Sequence, residues 1–159
     1  MAREPIPTSY FALVVVRHGD RFLLVQERKH GQRWYFPGGR AEPGETLADA
    51  ARRETLEESG VKIRLTGVVR LEHSPSPRRA RLRAIFLAEP SGKTVTKQEP
   101  DDESLRAEWI SLSELSQYPL RSPEVEEVLR YVADGGQCAP LEIIQGEGMP
   151  YRVADLTRP

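Results

Sequence analysis

The chain has 159 residues, one domain's worth, and can bury a real core without disulfides or structural metals. Lys and Arg number 23 and Asp and Glu 24, so a net charge of -1 gives no global field for nucleic acid or an anionic membrane. Cys138 is the single cysteine, which excludes an internal disulfide framework and a Cys-based zinc site and suits a reducing, cytoplasmic setting.

The first apolar run, Phe11 to Val16, is too short for a signal-peptide core or a membrane span, so an unexported chain is expected. Residues 11–17 (FALVVVR) and 21–26 (RFLLVQ) are β-branched and apolar, and His18-Gly19-Asp20 between them predicts a β-hairpin. RWYFPGGRAEPGE, residues 33–45, runs an aromatic triplet into prolines and glycines that predict a shaped loop. From Thr46 to Ser59 the pattern turns helical, with Gly60 as its C-terminal stop.

Residues 61–71 and 81–88 predict a second hairpin, joined by HSPSPRRA, whose prolines and charges keep it at the surface. Residues 108–111 (EWIS) read as a short strand. SPEVEEVLRYV predicts a second helix, with Ser122 at the cap, Pro123 first, and Val125, Val128, Leu129 and Val132 on one face. Strands and two helices out of strict alternation predict an α+β, mixed-sheet layered domain. The expected organisation is an N-terminal lead at 1–9, a single domain at 10–133, and a tail at 134–159 that packs on it or frays.

RETLEESG, residues 53–60, crowds Glu54, Glu57 and Glu58 into the last turn of the first helix. The carbonyl end of a helix disfavours anions, and like charges three or four apart repel, each effect costing roughly 0.3–1 kcal/mol. At about 100° per residue the three carboxylates continue the apolar stripe of Leu47, Ala50 and Ala51 instead of opposing it. A divalent ion such as Mg²⁺ or Mn²⁺, bound by these hard oxygens, offsets both penalties.

The full stretch from Gly39 to Val61 resembles the box of the Nudix hydrolases (MutT-like). Gly39, Glu45, Arg53, Glu54, Glu57, Glu58, Gly60 and Val61 stand at the motif positions, and Thr55 replaces the usual bulky aliphatic. The opening hairpin, WYFPGG and EWISLSEL extend the resemblance to about 115 residues. The tail is similar to that of bacterial Nudix phosphatases acting on thiamine-pyrimidine pyrophosphate and on nucleoside tri- and diphosphates. Their box follows Pro-Ala-Gly, whereas Pro37-Gly38-Gly39 here keeps the general family form, which leaves the substrate open.

The resemblance implies an α/β/α sandwich around a mixed sheet and a pyrophosphohydrolase cleaving a nucleoside diphosphate linked to some group X. It implies a Mg²⁺ (or Mn²⁺) site made by Glu54, Glu57, Glu58 and the Gly39 carbonyl, with Arg53 orienting a glutamate through a bidentate pair. The general base is Glu54 or a later carboxylate, for which Glu103 stands six residues before Trp109. Arg28, Arg81 and Arg83 are candidates for substrate phosphates, although alternating arginines also protect a strand edge. Trp34, Tyr35, Phe36 and Trp109 either stack a base or fill the core. The expected partner is a small nucleotide or diphosphate, with no nucleic acid or membrane, and the oligomeric state is left open between monomer and homodimer. Two other readings within the family are an ADP-ribose or nucleotide-sugar pyrophosphatase and a nucleotide-sensing domain without catalysis.

Overall fold

Strand β1 (Thr8–His18) carries apolar side chains on both faces, and this organises residues 4–151, the part the computed structural model describes. Ala12, Val14 and Val16 point into one core and Leu13 and Val15 into another, as the two-residue period of a strand requires. β2 (Arg21–Glu27) divides likewise, Leu23 and Val25 against Phe22 and Leu24. Strands apolar on both faces need a covering layer on each. Helix α1 (Leu47–Ser59) supplies Ala50 and Ala51 to the first core, and α2 (Pro123–Ala133) supplies Val125, Val128, Leu129 and Val132 to the second.

The remaining strands are β3 (Trp34–Tyr35), β4 (Gly38–Arg40), β5 (Ile63–Pro75), β6 (Ala80–Pro90) and β7 (Ser104–Ser111). They form a sheet in the order β3-β2-β1-β6-β5, with β4 paired to β1 and β7 to β2. β1 and β6 run parallel from Thr8↔Ala80 to Val16↔Ala88, and the other strand pairings are antiparallel. The result is the α+β fold expected, an α/β/α sandwich around a mixed sheet.

The expected first hairpin is a short one. Only Arg17↔Phe22 and His18↔Arg21 pair, after which β1 turns to β4 and β6 while β2 turns to β3 and β7. The Pro-Gly-Gly loop contains strand β4, because Gly38 and Gly39 let the backbone lie against Leu13 and Ala12. A Cβ on Gly38, whose φ is +146°, would fall 2.2 Å from the Ala12 carbonyl oxygen. β7 starts at Ser104, earlier than EWIS suggests.

Thr46 caps α1, its hydroxyl accepting the Asp49 amide at 3.1 Å, and Gly60 ends it in the left-handed region at φ 76°. α2 begins at Pro123 as expected, but the Ser122 side chain does not cap it. The Ser122 hydroxyl is buried without a partner, and its carbonyl accepts the Val125 amide at 3.2 Å. In the tail, Ala139 bridges Val68, and Leu141 and Ile144 pack on the first core. The tail beyond residue 151 and the first three residues of the lead lie outside the described residues. Among the described residues no helix is long and apolar enough to cross a membrane.

Candidate active site

Arg53 is the hub of the box. Its Nε and Nη2 donate to the two oxygens of Glu45 at 2.8 and 2.9 Å, so the expected bidentate pair is made with Glu45. Nη1 donates to Glu54 at 3.0 Å and to Glu57 at 3.2 Å, and Nη2 also reaches the Arg40 carbonyl at 3.2 Å. One guanidinium thus ties the loop before α1 to two of its glutamates. The pairing holds the Glu45 carboxyl down at about 2, with a hydrogen bond from the Glu42 amide adding to it, and raises the Arg53 guanidinium further.

Glu54 lies against Gly39, where a Cβ would come within 2.5 Å of the carboxylate carbon. Glycine at 39 is what lets strand and helix approach so closely. Glu58 accepts the Gly38 amide at 2.9 Å. Burial pushes its carboxyl up to about 8, opposed by that amide and reinforced by the charges of Glu54, Glu27 and Glu103. Burial also raises Glu54, against the pull of Arg53. Glu57 is about half exposed, with 43% of its side chain open to solvent.

The helix-end penalty has a protein answer as well. Lys97 donates its ammonium to the Glu57 carbonyl, its amide reaches the Ser59 carbonyl at 2.8 Å, and Ser104 donates its hydroxyl to the Glu58 carbonyl at 2.6 Å. Lys97 also pairs with Asp101, whose carboxyl it holds down at about 2 together with the Ser104 and Glu103 amides. Glu103 sits in this loop and adds its charge to the field at Glu54 and Glu58.

Among the described residues no three Asp, Glu, His or Cys side chains converge as a finished metal-ligand set. Arg53 and the Gly38 amide hold carboxylate oxygens that an ion would otherwise gather. The donor chemistry still fits Mg²⁺ or Mn²⁺. Hard carboxylate oxygens are partly desolvated and repel one another, which is the condition a divalent cation relieves.

The three arginines take different places. Arg28 is exposed and donates to the Asp101 carbonyl, beside the Lys97–Glu103 loop. Arg81 lies over the Phe11 ring at 4.6 Å, with Arg40 at 5.6 Å. Arg83 donates to Glu72 at 2.7 Å and to the Tyr35 hydroxyl at 3.1 Å, and pairs with Glu124 of α2. Arg81 and Arg83 do alternate onto one face, and it is the face α2 covers, opposite α1. Trp34, Tyr35 and Phe36 are buried in the α2 core, and Trp109 packs against the α1 core.

Sequence reasoning missed Lys97, Ser104 and Glu27. The first two act from an irregular segment and a strand start, where no periodicity marks them. Glu27 did carry a signal, a carboxylate closing the apolar run FLLVQ. A cavity of about 1020 Å³, lined by Tyr10, Leu47, Phe86, Leu141 and Ile144 among others, opens on the far side of the box loop. It meets the Arg53 network through Glu45, the Glu42 amide and the Arg40 carbonyl, and Glu54, Glu57 and Glu58 are not among the residues that line it.

Fold and box together define a Nudix hydrolase domain. Residues 7–132 match the family described as the NUDIX domain, and the chain belongs to the Nudix hydrolase superfamily. It is 36% identical over 141 residues to the 8-oxo-dGDP phosphatase NUDT18 of Homo sapiens, covering 86% of this chain and 42% of that protein. It is 33% identical over 141 residues to phosphatase NudJ of Escherichia coli O1:K1, covering 86% of this chain and 90% of that one. The chain thus spans less than half the length of NUDT18 and most of the length of NudJ. A NUDIX hydrolase structure from Nitrosomonas europaea superposes with a TM-score of 0.72 at 26% identity, covering 88% of this chain and 97% of that one.

Proposed function

We propose that the chain is a divalent-metal-dependent hydrolase that cleaves the phosphoanhydride of a nucleoside di- or triphosphate, or a related diphosphate, by water attack at phosphorus. The observation that carries the reading is the placing of the half-buried carboxylates Glu54 and Glu58 against Gly39 and the Gly38 amide at one end of α1, with Glu58 pushed up to about 8. Such a cluster is costly unless a cation uses it. Relatives named 8-oxo-dGDP phosphatase and phosphatase support the substrate class, with a nucleoside diphosphate foremost.

Glu54, Glu57, Glu58 and the Gly39 carbonyl are the residues that would hold Mg²⁺ or Mn²⁺. When bound, the ion neutralises phosphate charge and lowers the pKa of water. Glu54, desolvated and oriented by Arg53, takes the proton of the attacking water, and Glu103 tunes it from the facing loop. The anhydride oxygen leaves with the departing phosphate. Arg28 meets the substrate phosphates, and Arg81, over Phe11, and Arg83, held by Glu72, Tyr35 and Glu124, are further candidates for them on the face of the sheet that α2 covers. The catalytic unit is residues 10–133, with Ala139, Leu141 and Ile144 of the tail packed on it, acting in the cytoplasm on a small molecule without nucleic acid or membrane.

The test is product identification from nucleoside di- and triphosphates, 8-oxo-dGDP, ADP-ribose and thiamine-pyrimidine pyrophosphate, with Mg²⁺ or EDTA, for wild type and Glu57→Gln. Magnesium-dependent release of monophosphate, reduced at least about a hundredfold in Glu57→Gln, is expected. Nucleotide binding without turnover across the panel overturns the enzyme reading in favour of a sensing domain.

A further inference from the structure

We infer that Glu27, at the end of β2, is a further oxygen donor to the divalent-ion site of α1, positioned by Arg121. This rests on the metal-dependent reading above and extends it to a residue outside the box. Glu27 Oε1 accepts from Arg121 Nη1 at 2.8 Å, while Oε2 is buried and has no hydrogen-bond partner. Leaving such an acceptor unsatisfied costs about 1–3 kcal/mol, and more for a charged group, so buried polar atoms are nearly always engaged. Arg121 satisfies one oxygen, and the other is left with its lone pairs and its share of the negative charge.

The surroundings say what could engage it. β2 and β7 pair with Glu27 opposite Ser104, and the Ser104 hydroxyl donates to the Glu58 carbonyl at 2.6 Å. Glu27 and Glu58 therefore meet the same serine, one across the sheet and one from the helix. The register slips between Gln26 and Glu27, a bulge of the kind that re-aims a side chain at a strand end.

The Glu27 backbone amide donates to the Arg33 carbonyl at 3.0 Å, and Arg121 lies 4.6 Å from the Tyr35 ring centroid. The carboxylate is therefore held from both ends. A fixed, half-neutralised hard oxygen on the strand that faces Ser104 at the end of α1 suits a divalent cation or the water such an ion carries. Serving only as the counter-ion of Arg121 would occupy Oε1 and leave Oε2 without a purpose.

The experiment is titration of the full chain with Mn²⁺, read by electron paramagnetic resonance of the free ion, for wild type, Glu27→Gln, Glu27→Asp and Glu58→Gln. Circular dichroism in EDTA checks each fold. Gln keeps an acceptor for Arg121 and removes the charge, so Glu27→Gln should weaken Mn²⁺ binding by roughly ten- to a hundredfold, with Glu27→Asp between it and wild type. Should Glu27→Gln not fold, Glu27→Asp decides by the same titration: weaker binding supports the inference and wild-type binding overturns it. A folded Glu27→Gln that titrates like wild type, while Glu58→Gln loses Mn²⁺, overturns the role of Glu27 and leaves the metal helix standing. Wild type without Mn²⁺ binding overturns both.

Discussion

Glu58 is a carboxylate that the fold withdraws from water, and its titration should be visible in the stability of the metal-free protein. Its carboxyl is ordinary in the unfolded chain, near 4.5, and rises to about 8 in the fold, so between these values the native state binds the extra proton. Stability then falls as pH rises through that window, by on the order of a few kcal/mol at most. Glu54 and Glu27, raised by burial, act in the same direction. Glu45 and Asp101, held at about 2, contribute stability above the ordinary carboxylate range and lose it only in acid, outside the window. In EDTA the thermal midpoint of wild type should fall from pH 5 to pH 8. Glu58→Gln, which keeps an acceptor for the Gly38 amide, should flatten that slope, and equal slopes would show that Glu58 is not buried as a strained acid. The box carboxylates were legible in the sequence because their spacing is helical. Glu27 and Arg121 were not, since a contact across 94 residues of chain leaves no local pattern.

The helix α1 shows how an element carries charge where its dipole opposes it. Its start is conventional, with Thr46 accepting the Asp49 amide, and both that cap and the Gly60 stop could be read from sequence. Its end was legible only as a difficulty, because the groups that relieve it come from Lys97 and Ser104. Thr55, the box's departure from the family pattern, is fully buried and returns its hydroxyl to the Ala51 carbonyl at 2.7 Å, so the smaller residue packs without an orphaned polar atom. Gly60 sits at φ 76°, and a methyl group added to it would stand 3.6 Å from its nearest neighbour, the Lys97 amide nitrogen, so space is available and only the backbone objects. Gly60→Ala should cost about 1–2 kcal/mol, the strain of an L-residue in that region. Urea denaturation should show a lower midpoint at an unchanged slope. A midpoint equal to wild type would mean that the helix end rearranges freely, which would also loosen the site it holds.

At the scale of the whole molecule, the sequence disclosed two double-sided apolar strands but not their partners. FALVVVR and RFLLVQ form a hairpin closed only at its turn, and the parallel pairing of β1 with β6 joins segments about 70 residues apart, which periodicity cannot encode. The consequence is one sheet serving two cores. Val14 and Val15 are neighbours with no exposed surface, yet Val14 packs in the α1 core and Val15 in the α2 core. Because β1 hydrogen-bonds through the centre of the sheet, neither core can dissolve without exposing the other. Val14→Ala and Val15→Ala should therefore each destabilise by about 2 kcal/mol, from lost burial and a small cavity. Trp109 reports on the first core and Trp34 on the second, so variants retaining only one of them give a separate signal for each. In each valine variant the two tryptophan signals and the far-ultraviolet circular dichroism should unfold at one midpoint. If Val14→Ala lowers the Trp109 transition and leaves that of Trp34 in place, the two layers are independent units and the carboxylate helix can open without the rest of the fold.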